Sequence, residues 1–215
     1  MKNILKFGVI ACAIMVPVLA NAAVTAELKL IGTITPASCV PNFTGGSTID
    51  YGTIPASTLN AAEQSRLPNK STSFTVTCDA PVKFGFSVID ERSATAVAET
   101  GSSFQAYGLG AADNGANIGG YWLSINNGTA DTGEVEKLRS LDGGVTWEAF
   151  AGNIYADGEA AVFAFGDSVS SQTPTAHKSV SVDLDVFAYI DKTDNLPIAD
   201  EIKIDGLATI EVKYL

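Results

Sequence analysis

The chain has 215 residues, with 13 Lys and Arg against 24 Asp and Glu and a formal net charge of −11. That length suits one domain with a substantial core. Such acidity repels phosphate backbones and anionic lipid surfaces, so nucleic acid and peripheral membranes are set aside as partners.

Met1–Lys6 carries Lys2 and Lys6, Phe7–Ala20 is uncharged and mostly apolar, and Ala20-Asn21-Ala22 follows. Charged, apolar and small-residue segments in that order predict a secretory signal peptide over residues 1–22. The apolar run is shorter than the roughly 20 residues a spanning helix needs. Cleavage after Ala22 leaves 193 residues, 215 less the 22 of the leader, read as a single domain over 23–215. No later run predicts a transmembrane segment in the mature chain. Without Lys2 and Lys6, 11 basic residues face 24 acidic ones, a net charge near −13.

Two cysteines remain after cleavage, Cys39 and Cys78. An even pair in an exported chain predicts a disulfide; two buried free thiols are the alternative. His177 is the sole histidine, which argues against a zinc site.

Strand signals follow in order. Leu28, Leu30, Gly32 and Ile34 alternate with Lys29, Thr33 and Thr35 until Pro36. Thr48–Ile54 is a short candidate, and Ala56–Leu67 alone leans helical. Phe74, Val76 and Cys78 share a face, and Asp79-Ala80-Pro81 predicts a turn into a strand over Val82–Ile89. About 94–158 reads as an irregular insertion, with Gly119–Ile125 a strand candidate inside it. Tyr121 and Trp122 there suggest a sugar-stacking surface, with core packing of at least one of them the plainer expectation. Ala161–Phe165 is a further strand candidate. Val180, Val182, Leu184, Val186, Ala188 and Ile190 alternate cleanly; Phe187 and Tyr189 make the other face apolar too, so a central strand is expected. Asn127-Gly128, Asp142-Gly143, Asp157-Gly158 and Asp205-Gly206 accept positive φ and predict turns or bulges.

The last run is the most informative. Ile202, Ile204, Gly206, Ala208, Ile210, Val212 and Tyr214 alternate with a mostly polar set, and Leu215 follows. Period-two alternation predicts a strand with one buried face. An apolar-faced strand with a free edge invites pairing from another molecule. Many short strands, turn signals and one cysteine pair predict an all-β sandwich.

The blocks Gly32-Thr33-Ile34-Thr35-Pro36-Ala37-Ser38-Cys39-Val40, Tyr51-Gly52-Thr53-Ile54 and Phe74-Thr75-Val76-Thr77-Cys78, with the terminal strand and its Tyr214, resemble chaperone–usher pilin subunits of Gram-negative fimbriae. The likeness is greatest to the GltF-like branch of exported fimbria-like proteins. It covers about the first third and the last seventh of the mature chain. The resemblance implies an immunoglobulin-like sandwich lacking its final strand, completed first by a periplasmic chaperone and then by a neighbouring subunit's N-terminal extension. It implies that the Cys39–Cys78 bridge joins the first two strands. Val24, Ala26, Leu28 and Leu30, within 23–31, would be the donor side chains. Ile204, Ala208, Ile210, Val212 and Tyr214 would line the acceptor groove and meet the chaperone, with the Leu215 carboxylate anchored by the chaperone's basic residues. Alternatively, 23–31 begins the first strand of a self-sufficient sandwich.

Ser140-Leu141-Asp142-Gly143-Gly144-Val145-Thr146-Trp147 fits the S-x-D-x-G-x-T-W Asp box. Physically it predicts a hairpin: Asp142 and the glycines turn the chain, Ser140, Gly144 and Thr146 support the turn, and Trp147 packs back. Sialidases repeat this box, but here it stands once, with three arginines, Arg66, Arg92 and Arg139, to serve an anionic sugar. A nucleophilic triad would rest on His177, which reads as an exposed, inert loop residue. Acidic residues are plentiful, yet no spacing picks out a glycosidase pair. Asp113-Asn114-Gly115-Ala116-Asn117 lacks the later ligands of a calcium loop. No catalytic, cofactor-binding or metal-binding residue is assigned.

The expected function is that of a structural, non-enzymatic fimbrial subunit in cell adhesion. Its expected partners are a periplasmic chaperone, an outer-membrane usher and other pilin subunits, and its location the periplasm and then the cell-surface fimbrium. A stand-alone periplasmic or secreted binding module, for instance for a glycan, is the second reading, and an exported glycosidase a remote third.

Overall fold

The computed structural model describes residues 26–34, 37–156, 160–167 and 172–215. The leader at 1–22, Val24 and the Asp157-Gly158 turn lie outside them. The chain divides into two units, Met1–Thr35 and Pro36–Leu215. Within the first, residues 26–34 belong to no helix or strand, and Ala26, Leu28, Leu30, Ile31 and Ile34 are exposed. The alternation of Leu28–Ile34 supplies a strand's two faces, but these residues have no neighbour to complete a ladder.

The second unit is built from β1 (Cys39–Thr44), β2 (Ser65–Arg66), β3 (Lys70–Val82), β4 (Phe84–Asp90), β5 (Tyr107–Gly108), β6 (Gly119–Ala130) and β7 (Gly133–Glu134). It continues with β8 (Glu136–Ser140), β9 (Glu148–Ala149), β10 (Asn153–Ile154), β11 (Val162–Gly166), β12 (His177–Ile190) and β13 (Ala208–Tyr214). One sheet runs β1-β3-β12-β6-β10, with β2 added to β12 and β5 and β7 to β6; the other runs β13-β4-β11-β8-β9. Paired strands are antiparallel in both sheets. No α-helix occurs among the described residues. The fold is the expected all-β sandwich.

β12 is the spine, paired with β3 on one side and β6 on the other. Its inward residues Val180, Val182, Leu184, Val186, Ala188 and Ile190 are all buried. Tyr189 is buried on the opposite face, where its hydroxyl donates to the Val97 carbonyl at 2.7 Å. An aromatic chain ties the layers together: Phe43 of β1 to Phe74 of β3 at 5.2 Å, Phe74 to Phe86 of β4 at 5.5 Å, Phe86 to Phe163 of β11 at 5.7 Å. Such rings carry much of a core's buried apolar area.

Several boundaries differ from the sequence pattern. β3 continues through Asp79-Ala80-Pro81, and the chain reverses at Lys83; Pro81 sits near the strand's end, beyond β1's last contact at Cys78, where β3 needs no donor from it. Thr48–Ile54 forms no strand, and Ala56–Leu67 yields a 3-10 turn at Ala56–Thr58 and the short strand β2 but no α-helix. Asn127-Gly128 does not end β6 but bulges within it, with Asn127 at φ 48° and a register shift opposite Ser181 and Asp183. The terminal strand begins only at Ala208. The Asp205 N–H bonds to the Leu109 carbonyl at 3.0 Å, Arg92 grips the Asp205 carboxylate at 2.7 Å, and a Cβ on Gly206 would come within 3.0 Å of Leu109. These contacts draw residues 205–206 onto the loop after β5.

His177 is the clearest correction. It opens β12 opposite Val82 and is 2% exposed. Its ring lies between the Thr175 hydroxyl at 2.9 Å and the Thr132 hydroxyl at 3.3 Å. β12 starts before its apolar alternation does, so the histidine is built into the sheet.

Candidate functional site: an open groove between two sheet edges

β1 and β13 are the edge strands of different sheets, each paired on one side only, β1 with β3 and β13 with β4. Cys39 and Cys78 face each other in the β1–β3 register and are bonded, S–S 2.06 Å. The two edges meet at one point, where the Cys39 N–H donates to the Tyr214 hydroxyl at 2.9 Å.

Away from that bond the edges stay apart. Ala208, Ile210 and Val212 of β13 pack on the core yet remain half-buried, unlike the inward residues of β12. Phe43 of β1 and Ile49, Tyr51 and Ile54 of the loop after it are likewise half-buried against the core. Between Thr48–Ile54 and residues 198–204 lies a cavity of about 710 Å³ floored by Ile118, Ile190 and Leu196. Ile202 and Ile204 are on its wall, with Ile204 37% exposed. The chain thus has an apolar cavity lined largely by the loop residues after β1 and before β13, and two strands, β1 and β13, with unused edges. A fully closed sandwich would bury these side chains; each large one left open forgoes part of about 1.5–3 kcal/mol.

One polar atom stands out at the cavity. The Tyr51 hydroxyl is buried without a hydrogen-bond partner, uniquely so for side-chain N and O atoms among the described residues. Burial pushes its pKa up, so it stays a neutral donor. The Lys70 ammonium sits 5.5 Å from the centre of its ring. A buried hydroxyl without a partner costs about 1–3 kcal/mol, so an acceptor entering the gap would be favoured.

The structure places Ala208, Ile210, Val212 and Tyr214 on β13, whereas Ile204 lies before the strand, on the cavity wall. Tyr214 is 55% exposed, and the Leu215 N–H bonds to the Lys83 carbonyl at 3.1 Å. The lip formed by Phe43, Ile49, Tyr51 and Ile54 was not assigned from sequence. Its signal was there in the i, i+2 spacing of Ile49 and Tyr51, although no strand forms.

The Asp box lies apart from the cavity. It links β8 to β9 and is held by its own polar groups. Asp142 accepts from the Val145 and Thr146 N–H groups at 3.1 and 2.9 Å and from the Thr146 hydroxyl at 2.6 Å. The Ser140 hydroxyl donates to Asp142 at 2.7 Å and accepts from the Gly144 N–H at 2.8 Å. The Trp147 indole N–H closes on the Gly144 carbonyl at 3.0 Å. Gly143 and Gly144 have φ 76° and 96°, values an L-residue resists. The bonds from Thr146, then the Ser140 hydroxyl, hold the Asp142 carboxyl well below the usual carboxylate range. These partners are all within the turn, and the Gly143 N–H adds one bond outside it, to the Ala160 carbonyl at 3.0 Å. Of the two aromatics at 121–122, Tyr121 is buried and Trp122 half-buried on the outer side of the sheet.

Fold and cavity together define a disulfide-bonded all-β sandwich with edge strands β1 and β13 and an apolar cavity beside the loops that adjoin them. Residues 28–106 match the family described as "Protein of unknown function (DUF1120)". The chain is also 30% identical over 223 residues to Protein GltF of Escherichia coli (strain K12), covering 88% of each. It belongs to the family of that protein.

Proposed function

We propose that this chain is an exported structural subunit that accepts a β-strand from another molecule in the gap between β1 and β13. The reading is that of a fimbrial subunit handled by a periplasmic chaperone and an outer-membrane usher and assembled by donor-strand exchange. Its activity is binding, not catalysis. The observation that carries it is the incomplete cover of the core at the two edge strands: Ala208, Ile210 and Val212 of β13, and Phe43, Ile49 and Tyr51 of β1 and the loop after it, stay half-buried against the core, and the Tyr51 hydroxyl is unsatisfied. An extended segment would bring backbone acceptors for that hydroxyl and side chains at alternate positions for the apolar wall. Residues 26–34 are the candidate segment, outside any helix or strand and exposed, with Leu28 89% and Leu30 83% accessible. Export is supported by the leader pattern and by the disulfide, which an oxidising compartment favours.

The test is complementation in trans. A variant lacking residues 23–31 is mixed with a synthetic peptide of residues 23–34. A one-to-one complex is expected, with a thermal upshift of about 5–11 °C at a peptide concentration 100 times Kd, equivalent to about 2.7 kcal/mol. Peptide carrying Leu28→Asp, or protein carrying Ile210→Asp, should not respond. No binding at millimolar peptide, or equal binding by the Leu28→Asp peptide, would refute the proposal.

A further inference from the structure

The outer face of the β1-β3-β12-β6-β10 sheet carries an aromatic strip that the groove does not use. Phe187 of β12 and Trp122 of β6 are register partners, and their rings stack 3.9 Å apart at 7°. Trp122 meets Tyr155, just past β10, at 5.7 Å. Tyr155 stacks on Phe104 at 4.1 Å and 3°. Phe104 is 49% exposed and the other three are half-buried. A sandwich's outer face is ordinarily polar, and a contiguous row of rings there marks a contact surface.

The neighbouring row, two residues along each strand, is polar. Asp185 pairs in register with Ser124, and Ser124 with Asn153. Asn126 donates to Asp185 Oδ2 at 2.7 Å, which fixes the carboxylate and leaves Oδ1 without a protein partner among the described residues. The Asn153 amide donates to the Tyr155 hydroxyl at 3.3 Å, tying the polar row to the aromatic one. On β3 the register neighbours of Asp185 and Asp183 are Ser71 and Ser73. The rows therefore offer hydroxyl, amide and carboxylate groups beside ring surface, and the cation next to them on this face, Arg66 opposite Tyr189, is already paired with Glu99.

We infer that this face binds a neutral glycan, with the apolar side of a sugar ring against Trp122, Phe187 or Phe104 and its hydroxyls on Asp185 and Asn153. Aromatic surface with a few fixed polar groups is the general make-up of a small-molecule site, and sugars present both an apolar C–H face and an equatorial belt of hydroxyls. Charge selects among ligands. Asp183, Asp185 and a chain net charge of −11 oppose sialylated or sulfated sugars. They equally oppose single-stranded nucleic acid, which also stacks on aromatics but requires a cationic track for its backbone. The strip lies on β6, β12 and the loop residues Tyr155 and Phe104, away from the β1 and β13 edges, so the inference does not depend on strand acceptance.

The purified chain is titrated calorimetrically with maltotetraose, cellotetraose, chitotetraose and galactobiose, with sialyllactose and a heparin tetrasaccharide as anionic controls. At least one neutral sugar should bind, and Phe104→Ala and Asp185→Asn should each weaken it at least tenfold while leaving the thermal midpoint within a few degrees. Trp122→Ala should abolish binding; if it misfolds, the Phe104 and Asp185 variants decide the matter. The inference is overturned by no heat with any neutral sugar at 10 mM, by binding confined to the anionic controls, or by unchanged affinity in both the Phe104 and Asp185 variants.

Discussion

Removing the disulfide tests how the groove's first lip is held. Cys39 and Cys78 are 39 residues apart in sequence. In the loop-entropy treatment, closing such a loop stabilises the native state by about 4 kcal/mol, a large fraction of the 5–15 kcal/mol typical of a domain. Without the bond, β1 keeps its six-residue ladder with β3, the Phe43–Phe74 ring contact and the Cys39–Tyr214 hydrogen bond. These should hold β1 in place natively but make it the first element to detach. We therefore expect the Cys39→Ala, Cys78→Ala double variant, and the wild type in dithiothreitol, to lose about 4 kcal/mol in urea unfolding at 25 °C. The thermal midpoint should fall by about 8–16 °C at 2–4 °C per kcal/mol. Amide exchange should accelerate most across Val40–Thr44, ahead of β12, and affinity for the 23–34 peptide should fall with it. A loss under about 1 kcal/mol with an unchanged m-value, or exchange that accelerates uniformly, would refute this account.

Other consequences are more local. Phe86 is fully buried among Phe74, Phe163 and Phe165, so Phe86→Ala should cost about 3–5 kcal/mol in chemical denaturation. Tyr51→Phe deletes the unpartnered hydroxyl and should leave the isolated chain as stable as wild type or up to about 1 kcal/mol more so, while weakening peptide binding measured by fluorescence anisotropy. The Asp142 carboxyl is held below its ordinary value, so its contribution is complete above about pH 4 and is lost as pH falls toward the folded-state value. Exchange at the Val145 and Thr146 amides, followed by NMR, should therefore quicken from pH 4 downward, and Asp142→Ala should remove that dependence.

Much of the fold was legible because its strands obey simple periods. β12, β6 and the Phe74–Cys78 part of β3 are two-sided in sequence as they are in space. The cysteine pair needed only its number and compartment. What escaped the sequence was partnership. Leu28–Ile34 and Ile202–Tyr214 alternate equally well, yet 26–34 is unpaired and the second run becomes strand only from Ala208, because residues 205–206 are held by Arg92 and Leu109. The β13 side of the groove could be named from its alternation, whereas Phe43, Ile49 and Tyr51 acquire meaning only when β1 is placed at a sheet edge. His177 was misjudged for the same reason: its neighbours in sequence are polar, but its neighbours in space are Thr132, Thr175 and the end of β3. The aromatic strip joins residues from 104 to 187, a grouping no local window contains.

The position of the sulfur bridge also determines how the molecule would carry mechanical load. Cys39 is the first residue of β1, so tension entering through the N-terminal segment passes straight into Cys78 on β3, an interior strand of the sheet. The intervening stretch, about 130 Å of contour at 3.3–3.6 Å per residue, cannot be paid out while the bridge is intact. Pulled end to end, such a subunit would resist lengthening there by a covalent link, with both Thr48–Ile54 and β1 shielded from the force.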